Sequence, residues 1–238
     1  MILNEFIMEI LKSVPTRLVT ILLFLLFAFI PHSMIHAQQR IGFGIHADPA
    51  ISWFSSDIKE IKNDGTRAGF NFGLTFNRYF TPNYSFSTGI SMLNAGGRLV
   101  SDSTTVLEFT TKPVSPGEPV VYKIQYLAIP IGLKLQTNQI GYLTFFTDLG
   151  LDPKVVIGGK ADIPSLDISA EKAISELRMF NLSYHINAGI EYSLGGTTAM
   201  VLGLNFDNNF LDITKETGVQ PIDKVSHKIL SLRIGVKF

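Results

Sequence analysis

Histidine and aspartate side chains recur at alternating positions along the chain and could carry metal-binding or acid–base chemistry. Imidazole and carboxylate groups are the usual ligands of transition metals and the usual proton carriers of active sites. Their spacing matches no compact motif such as H-E-x-x-H. The alternative, which we favour, is that these side chains form salt bridges inside a narrow polar interior. The residues are His46, Asp48, Asp148, Asp152, His185 and Asp207.

Hydrolysis of acyl esters at a membrane surface is the second kind of chemistry to consider. It would need a serine and a histidine that face lipid, whereas the alternation described below places His46, His185 and His227 on an inward polar face. No G-x-S-x-G motif occurs. The chain carries 20 basic and 20 acidic residues, so no basic excess indicates nucleic acid. The sequence predicts a non-enzymatic protein with no cofactor and no metal.

The elements that position these residues are eight segments in which apolar and polar residues alternate with period two. In the last of them, Leu230, Leu232 and Ile234 share one face, while Ser231 and Arg233 share the other. Any single segment would also suit an amphipathic strand of a soluble sandwich. Eight of them predict a wall between lipid and a polar lumen. The segments cover residues 41–53, 69–77, 84–92, 126–135, 143–152, 180–192, 199–207 and 229–238.

The connections between these segments alternate between short and long. Short ones cover residues 81–83, 137–141 and 195–196, and long ones cover 54–67, 100–121, 159–178 and 213–226. Outer-membrane barrels have short periplasmic turns and long external loops. We therefore predict an all-β, eight-stranded antiparallel up-and-down transmembrane β-barrel with both termini in the periplasm. In the third long loop, alanine, glutamate and lysine predict a short helix capped by Ser169.

The polar faces of the eight segments must fill the barrel interior. An eight-stranded barrel encloses a lumen just wide enough for side chains, and buried charges must be paired. The sequence therefore predicts a structural network in which Lys134, Arg233 and Lys237 pair with acidic residues, and no wide channel. The full set of predicted lumen residues is His46, Asp48, Lys134, Asp148, Asp152, His185, Glu191, Asp207, Arg233 and Lys237.

The amino-terminal region has the pattern of a secretory signal peptide. Lys12 and Arg17 precede an apolar run of about 13 residues, and a small residue, Ala37, stands at the predicted cleavage site. A retained membrane helix is the alternative, but a span needs about 20 apolar residues. We predict a signal peptide over residues 1–37 and a barrel domain over residues 38–238. The chain has no cysteine, which excludes a lipid-anchored lipoprotein.

Two segments resemble known bacterial outer-membrane barrels. The chain ends on Phe238 after an alternating strand, which resembles their carboxy-terminal assembly signal and implies recognition by the barrel-assembly machinery. The segment Tyr126-Leu-Ala-Ile-Pro-Ile-Gly-Leu-Lys134 resembles a strand of the PorT-like family of Bacteroidota. Because an inward proline cannot donate to the ladder, we expect a bulge or bend at Pro130.

The resemblance to the PorT-like family implies the outer membrane of a Gram-negative bacterium, contact with its lipid, and no catalytic residue. It also implies a role in type IX secretion or envelope assembly, with secretion-complex proteins as partners. A small channel or a barrel that binds a ligand at the cell surface is the alternative function, because a fold alone does not determine function.

Overall fold

The computed structural model describes residues 41–110, 112–215 and 224–238. The predicted signal peptide, residues 1–37, lies outside the described residues and stays a prediction. Within the described residues, eleven β-strands form one antiparallel sheet. The strands are β1 Ile41–Ser56, β2 Ile61–Asn63, β3 Arg67–Thr81, β4 Tyr84–Ser101, β5 Pro119–Ala128, β6 Ile131–Gln136, β7 Leu143–Ile163, β8 Ile168–Lys172, β9 Phe180–Gly195, β10 Thr198–Asn209 and β11 Val225–Lys237.

The sheet closes on itself as a ring of eight strands, which confirms the predicted fold class. Each long strand pairs with its neighbour along the chain, and β1 pairs with β11 to close the ring. In this closing pair Gly44 lies opposite Lys237 and Ser56 lies opposite Val225. Strands β5 and β6 follow one another in a single position of the ring, because both pair with β4 and β7. The short strands β2 and β8 are not among the eight ring strands; they pair with the loop-end parts of β4 and β7.

The period-two alternation of the sequence produces two different surfaces on this wall. Along β1, the apolar residues Ile41, Phe43, Ile45 and Ile51 are exposed, whereas the intervening residues are buried. The other ring strands follow the same pattern, so that an apolar band surrounds the barrel. A band of this kind matches the hydrocarbon layer that a membrane barrel must contact.

Among the described residues, the short turns lie at one end of the barrel and the long connections lie at the other. We call these the turn end and the loop end. The turn end holds the turns after β3, β6 and β9, and also Ile41 and Phe238. At the turn after β9, Gly195 and Gly196 both have positive φ angles, of 112° and 60°, which glycine adopts without the cost that a Cβ imposes.

The predicted irregularity at Pro130 is present. The strand breaks between Ala128 and Ile131, so that β5 and β6 are separate elements. The backbone groups that leave the ladder still find partners, because the Ile129 amide donates to the Pro153 carbonyl at 3.0 Å. The Thr88 hydroxyl donates to the Pro130 carbonyl at 2.9 Å.

The loop end differs from the sequence-based prediction in two respects. Most strands continue past their predicted ends, with β4 running to Ser101 and β7 to Ile163. The predicted helix over residues 169–178 is wrong: this segment contains β8 and a 3₁₀ turn over Ile174–Glu176. The first half of the segment pairs with β7 as a strand, and the remaining residues are too few to form a stable helix. No helix within the described ranges is long and apolar enough to cross a membrane.

Candidate functional site

All ten predicted lumen residues lie on the inner wall of the barrel, and we call this set, together with Lys154, the polar lumen. The side chains of Arg233 and Lys237 are 17% exposed, and those of the other eight are at most 10% exposed. The strand register explains the placement, because every one of them occupies an inward position of its strand. The polar lumen is organised into groups along the barrel axis, two of which are in contact through Asp152 and Asp207.

Glu191 forms the group nearest the turn end. Its carboxylate pairs with the ammonium groups of both Lys134 and Lys237. The Lys134 ammonium also lies 4.4 Å from the ring centre of Phe146, and the Lys237 ammonium lies 3.5 Å from the Tyr79 hydroxyl. These side chains come from β3, β6, β7, β9 and β11, so the group reaches across the lumen.

His185 organises the second group. Its Nδ1 lies 2.7 Å from Asp152 Oδ1, and its Nε2 lies 3.7 Å from Asp148 Oδ1. Gly150 and Gly132 provide the space for the ring: a Cβ at Gly150 would lie 2.6 Å from the imidazole and 2.6 Å from the Gly132 Cα. These glycines are therefore required by close packing rather than by backbone conformation.

Asp48 organises the third group and is fully buried. His46 Nδ1 lies 2.8 Å from its carboxylate, and the Asn71 amide donates to the same oxygen at 3.1 Å. Arg233 Nε lies 3.5 Å from that oxygen. The acid is therefore surrounded by donors, as a buried carboxylate must be.

Lys154 belongs to the polar lumen but was missed by the sequence analysis. It is 2% exposed, and its ammonium donates to both carboxylate oxygens of Asp207 at 2.7 and 2.6 Å. The Ser183 hydroxyl donates to Asp207 at 2.9 Å. The predicted fifth segment ends at Asp152, although its alternation continues through Pro153 to Lys154. Extending the pattern by two residues would have found this partner of Asp207.

The interior changes from polar to apolar towards the loop end, which the sequence analysis did not predict. Apolar and aromatic residues fill this part, and we call it the cap core. Its wall residues include Phe54, Tyr122 and Ile124, each at most 6% exposed. Its loop residues come from three different long connections, so the loops close over the barrel. They are Leu107, Val114, Ala173, Leu177 and Ile213, all at most 4% exposed.

Backbone hydrogen bonds connect the loops that cover the cap core. Thr105 and Val114 bond to each other in both directions, at 3.1 and 2.9 Å, within the connection after β4. The Arg178 amide donates to the Ile213 carbonyl at 2.9 Å, and the Ile213 amide donates to Val225 at 3.0 Å. The connections after β8 and β10 are therefore attached to each other and to β11.

Glu176 joins the same loops through its side chain and is 3% exposed. The Glu108 amide donates to its carboxylate at 2.6 Å, and the Tyr122 hydroxyl donates to the other oxygen at 3.0 Å. Burial raises the pKa of the Glu176 carboxyl above its usual value, although hydrogen bonds from Tyr122 and Glu108 act in the opposite direction. Sequence patterns did not single out this acid, because its partners lie about 50 to 70 positions away along the chain.

Two small cavities lie inside the barrel. Two cavities in the polar lumen have volumes of about 30 and 50 Å³, which is room for a few water molecules. The described ranges, 41–110, 112–215 and 224–238, contain no group of three or more histidine and acidic side chains arranged to hold a metal ion.

Phe238, the predicted assembly signal, is 52% exposed on the lipid-facing side of the closing pair. Its amide donates to the Phe43 carbonyl at 2.7 Å, and its carbonyl accepts a hydrogen bond from the Phe43 amide at 3.3 Å. These bonds continue the pairing of β1 with β11 to the turn end. The role of Phe238 in assembly stays a prediction.

With this geometry in place, comparison with known families identifies the chain. The profile of a family described as "Outer membrane protein beta-barrel domain" matches residues 36–215. The chain belongs to this family. It is an outer-membrane β-barrel protein, and the exposed apolar band is the surface that contacts membrane lipid.

Several solved structures resemble this barrel at low sequence identity. Ail of Yersinia pestis has 13% identity and a TM-score of 0.43 over 85% of this chain and 100% of that chain. OprG from Pseudomonas aeruginosa has 15% identity and a TM-score of 0.43 over 86% and 99%. Neisserial surface protein A has 12% identity and a TM-score of 0.44 over 82% and 95%. No curated protein matches the sequence. The family assignment therefore rests on the sequence match.

Proposed function

We propose that this protein is a non-enzymatic barrel with a closed lumen, which acts through its loop-end surface by binding partner proteins. The observation that carries this proposal is that the interior is filled at two levels. The Lys134–Glu191–Lys237 group crosses the lumen near the turn end, and the cap core fills the loop end. A path for a solute would have to displace both.

The absence of an enzymatic function is part of the proposal. A lipid-directed hydrolase needs a histidine at the lipid-facing surface. His46, His185 and His227 all point into the barrel, are at most 6% exposed, and already have hydrogen-bond partners. They therefore serve packing and charge pairing in this proposal.

The proposed orientation places the loop end outside the cell and both termini in the periplasm. Support comes from the sorting of connections, since outer-membrane barrels have short periplasmic turns and long external loops. The chain has no cysteine, so a single introduced cysteine reports its own location. Ser169→Cys at the loop end should react with a membrane-impermeant maleimide on intact cells, whereas Asn138→Cys at the turn end should react only after lysis. The reverse pattern would contradict this orientation.

The partners that we propose are components of a protein-secretion or envelope-assembly complex. The family match covers outer-membrane barrels in general, and the finer assignment to the PorT-like family and type IX secretion rests on the resemblance of residues 126–134. Those residues mainly shape the barrel wall, where Tyr126 and Lys134 point inwards. The exposed loop-end residues, such as Ser169 and Glu171, would make the contact.

A pull-down from native outer membranes in mild detergent, followed by mass spectrometry, tests this function. The wild-type protein should recover secretion or assembly proteins, and a Ser169→Arg/Glu171→Arg variant should lose them. An Asn138→Arg/Gln139→Arg variant is the control, because it introduces the same two arginine side chains at exposed positions of the turn end, with a net charge change of about +2 instead of about +3. Recovery of the barrel alone from well-expressed membranes would contradict the proposal and favour a surface ligand-binding barrel. The small-channel alternative is tested by conductance.

A further inference from the structure

Three lysines lie side by side across three neighbouring strands at the loop end. Lys123 on β5 is directly opposite Lys160 on β7, and Lys160 is directly opposite Lys172 on β8. Residues that are directly opposite in an antiparallel pair project from the same face of the sheet. Because Tyr122 and Ala161 point inwards, Lys123 and Lys160 project from the outer wall. We call Lys123, Lys160 and Lys172 the lysine row.

The lysine row is only partly neutralised by the protein itself. Asp162 pairs with Lys123, and no other carboxylate of the described residues lies within ion-pair distance of Lys160 or Lys172. Like charges placed directly opposite each other destabilise a sheet. A row of three such charges with one acid therefore leaves an uncompensated repulsion in the free protein, which a bound anion would remove.

Asp162 also fixes the geometry of the row. Its carboxylate accepts a hydrogen bond from the Ala170 amide at 2.7 Å, and Ala170 has a φ angle of 53°. This conformation is unfavourable for a residue with a Cβ. The hydrogen bond from the Ala170 amide to Asp162 stabilises the turn that brings Lys172 opposite Lys160. Burial acts to raise the pKa of Asp162, but hydrogen bonds from Lys123 and Ala170 hold it below its usual value.

The position of the lysine row relative to the apolar band indicates which part of the membrane the row contacts. On β7 the last exposed apolar residue is Ile157, and Lys160 follows three positions later. On β5, Lys123 is separated from the lipid-facing Leu127 only by one outward residue, Gln125. Lysines just beyond a hydrocarbon layer place their ammonium groups at the level of the lipid head groups.

We propose that the lysine row binds the phosphate groups of an anionic glycolipid in the outer leaflet. Neighbouring strands are about 4.8 Å apart, so the row offers several cations to a ligand with closely spaced phosphates. Phosphate oxygens form strong charge-assisted hydrogen bonds with ammonium groups. The choice of the outer leaflet rests on the orientation proposed above, whereas the phosphate chemistry does not.

The test uses the full-length mature barrel in nanodiscs and measures the binding of bisphosphorylated lipid A by native mass spectrometry. The test variant is Lys160→Gln/Lys172→Gln, which leaves the Lys123–Asp162 pair intact. The matched control is Lys59→Gln/Lys112→Gln, which removes the same charge from two exposed positions of other long connections. Folding of each variant is checked by the heat-dependent mobility shift of folded barrels on gels. Dephosphorylated lipid A serves as the ligand control.

The wild-type and control proteins should prefer the bisphosphorylated lipid over the dephosphorylated one. The test variant should bind it about 25-fold more weakly, at about 1 kcal/mol for each lysine near an anionic surface. Equal binding by all three proteins would overturn the proposal. Displacement of the lipid by millimolar inorganic phosphate would also overturn it, since the ligand would then be a soluble anion. These two contradicting results do not depend on the orientation of the barrel in the membrane. The cysteine-labelling experiment tests that orientation separately.

Discussion

The hydroxyl of Tyr126 lies 3.0 Å from Nδ1 of His227, and this contact marks the boundary between the two halves of the barrel interior. On one side of it, the Lys154 ammonium lies 5.8 Å from the Tyr126 ring centre. On the other side, the Phe54 ring centre lies 4.8 Å from that of His227. His227 Nε2 lies 3.3 Å from the Gly96 carbonyl oxygen, which can only accept a hydrogen bond. Nε2 therefore carries the proton, and Nδ1 accepts from Tyr126.

Removing the Tyr126 hydroxyl should destabilise the barrel. The substitution Tyr126→Phe keeps the ring in the cap core but leaves His227 Nδ1 buried without a donor, which costs about 1–2 kcal/mol. Urea-induced unfolding in lipid vesicles, followed by fluorescence of Trp53, measures the change. Tyr142→Phe is the matched control, because Tyr142 is 67% exposed at the turn end and its substitution should have no measurable effect. Equal stability of both variants would contradict the boundary role of this contact.

The buried pair of Lys154 and Asp207 should behave differently from a surface pair. Lys154→Met alone leaves a buried carboxylate without its cation, and this should cost about 3–5 kcal/mol. The double variant Lys154→Met/Asp207→Leu should recover most of that loss, because it removes both charges. A double-mutant cycle on unfolding free energies measures the coupling between the two sites.

The exposed pair of Lys62 and Asp102 provides the control for this cycle. Its two atoms are 2.5 Å apart, but the side chains are 58% and 52% exposed. Solvent screens such a pair, so Lys62→Met should change stability by less than about 0.5 kcal/mol. A cycle at Lys154 and Asp207 with coupling as small as that at the surface would contradict the account of a buried pair in a closed lumen.

The closed arrangement of the loops should weaken as pH rises. Because burial raises the pKa of Glu176 in the closed loops, the closed form binds the proton more tightly than the open form does. Its stability is therefore greatest below the ordinary carboxyl pKa, decreases as pH rises through the raised pKa, and stays lower above it. Amide exchange of the connection after β4 and of residues 173–178 reports this opening.

Glu176→Gln is the matched control for this pH dependence, because glutamine does not titrate and retains a carbonyl acceptor for the Glu108 amide. The ratio of the amide protection factors of wild type and Glu176→Gln should fall with increasing pH. Taking this ratio cancels the intrinsic pH dependence of amide exchange. A ratio that stays constant between pH 4 and 8 would show that Glu176 does not control the loops.

Charged substitutions should distinguish the two faces of the wall. Leu204 is 60% exposed in the apolar band, and Leu204→Arg should cost about 2–4 kcal/mol if the site lies near the bilayer midplane. Leu133→Arg should behave in the same way. Thr75 lines both lumen cavities together with Arg233, so Thr75→Asp places a small charge among polar groups and near a cation, and should cost less. Equal penalties on both faces, measured by unfolding in vesicles, would be incompatible with this face assignment.

The wall of the barrel could be predicted from the sequence because alternation directly encodes which residues face lipid. His46 and Asp48 on β1, and Lys134 on β6, were assigned to the interior by counting positions. Strand register then brings such residues together even when they are far apart in the chain, as with Lys134 and Glu191. The bend at Pro130 was predictable as well, because proline lacks the amide that a ladder requires.

The loop end could not be predicted in the same way, because its core combines wall residues with residues of separate loops. Leu107, Leu177 and Ile213 lie in segments without a regular period, and only the closed barrel brings them together. The helix predicted around Ser169 was wrong for a related reason. Intrinsic propensity favoured a helix, but pairing of β8 with β7 overrides propensity over so few residues.

Single-channel recording of the mature wild-type barrel in planar bilayers tests the central claim, a closed lumen, most directly. A preparation whose folded state is verified on gels should give no conductance steps above those of the lipid alone. An open porin, added to the same bilayer as a positive control, should give clear steps. Reproducible steps from the wild-type barrel would show that ions pass both the Glu191 group and the cap core, and would contradict the account.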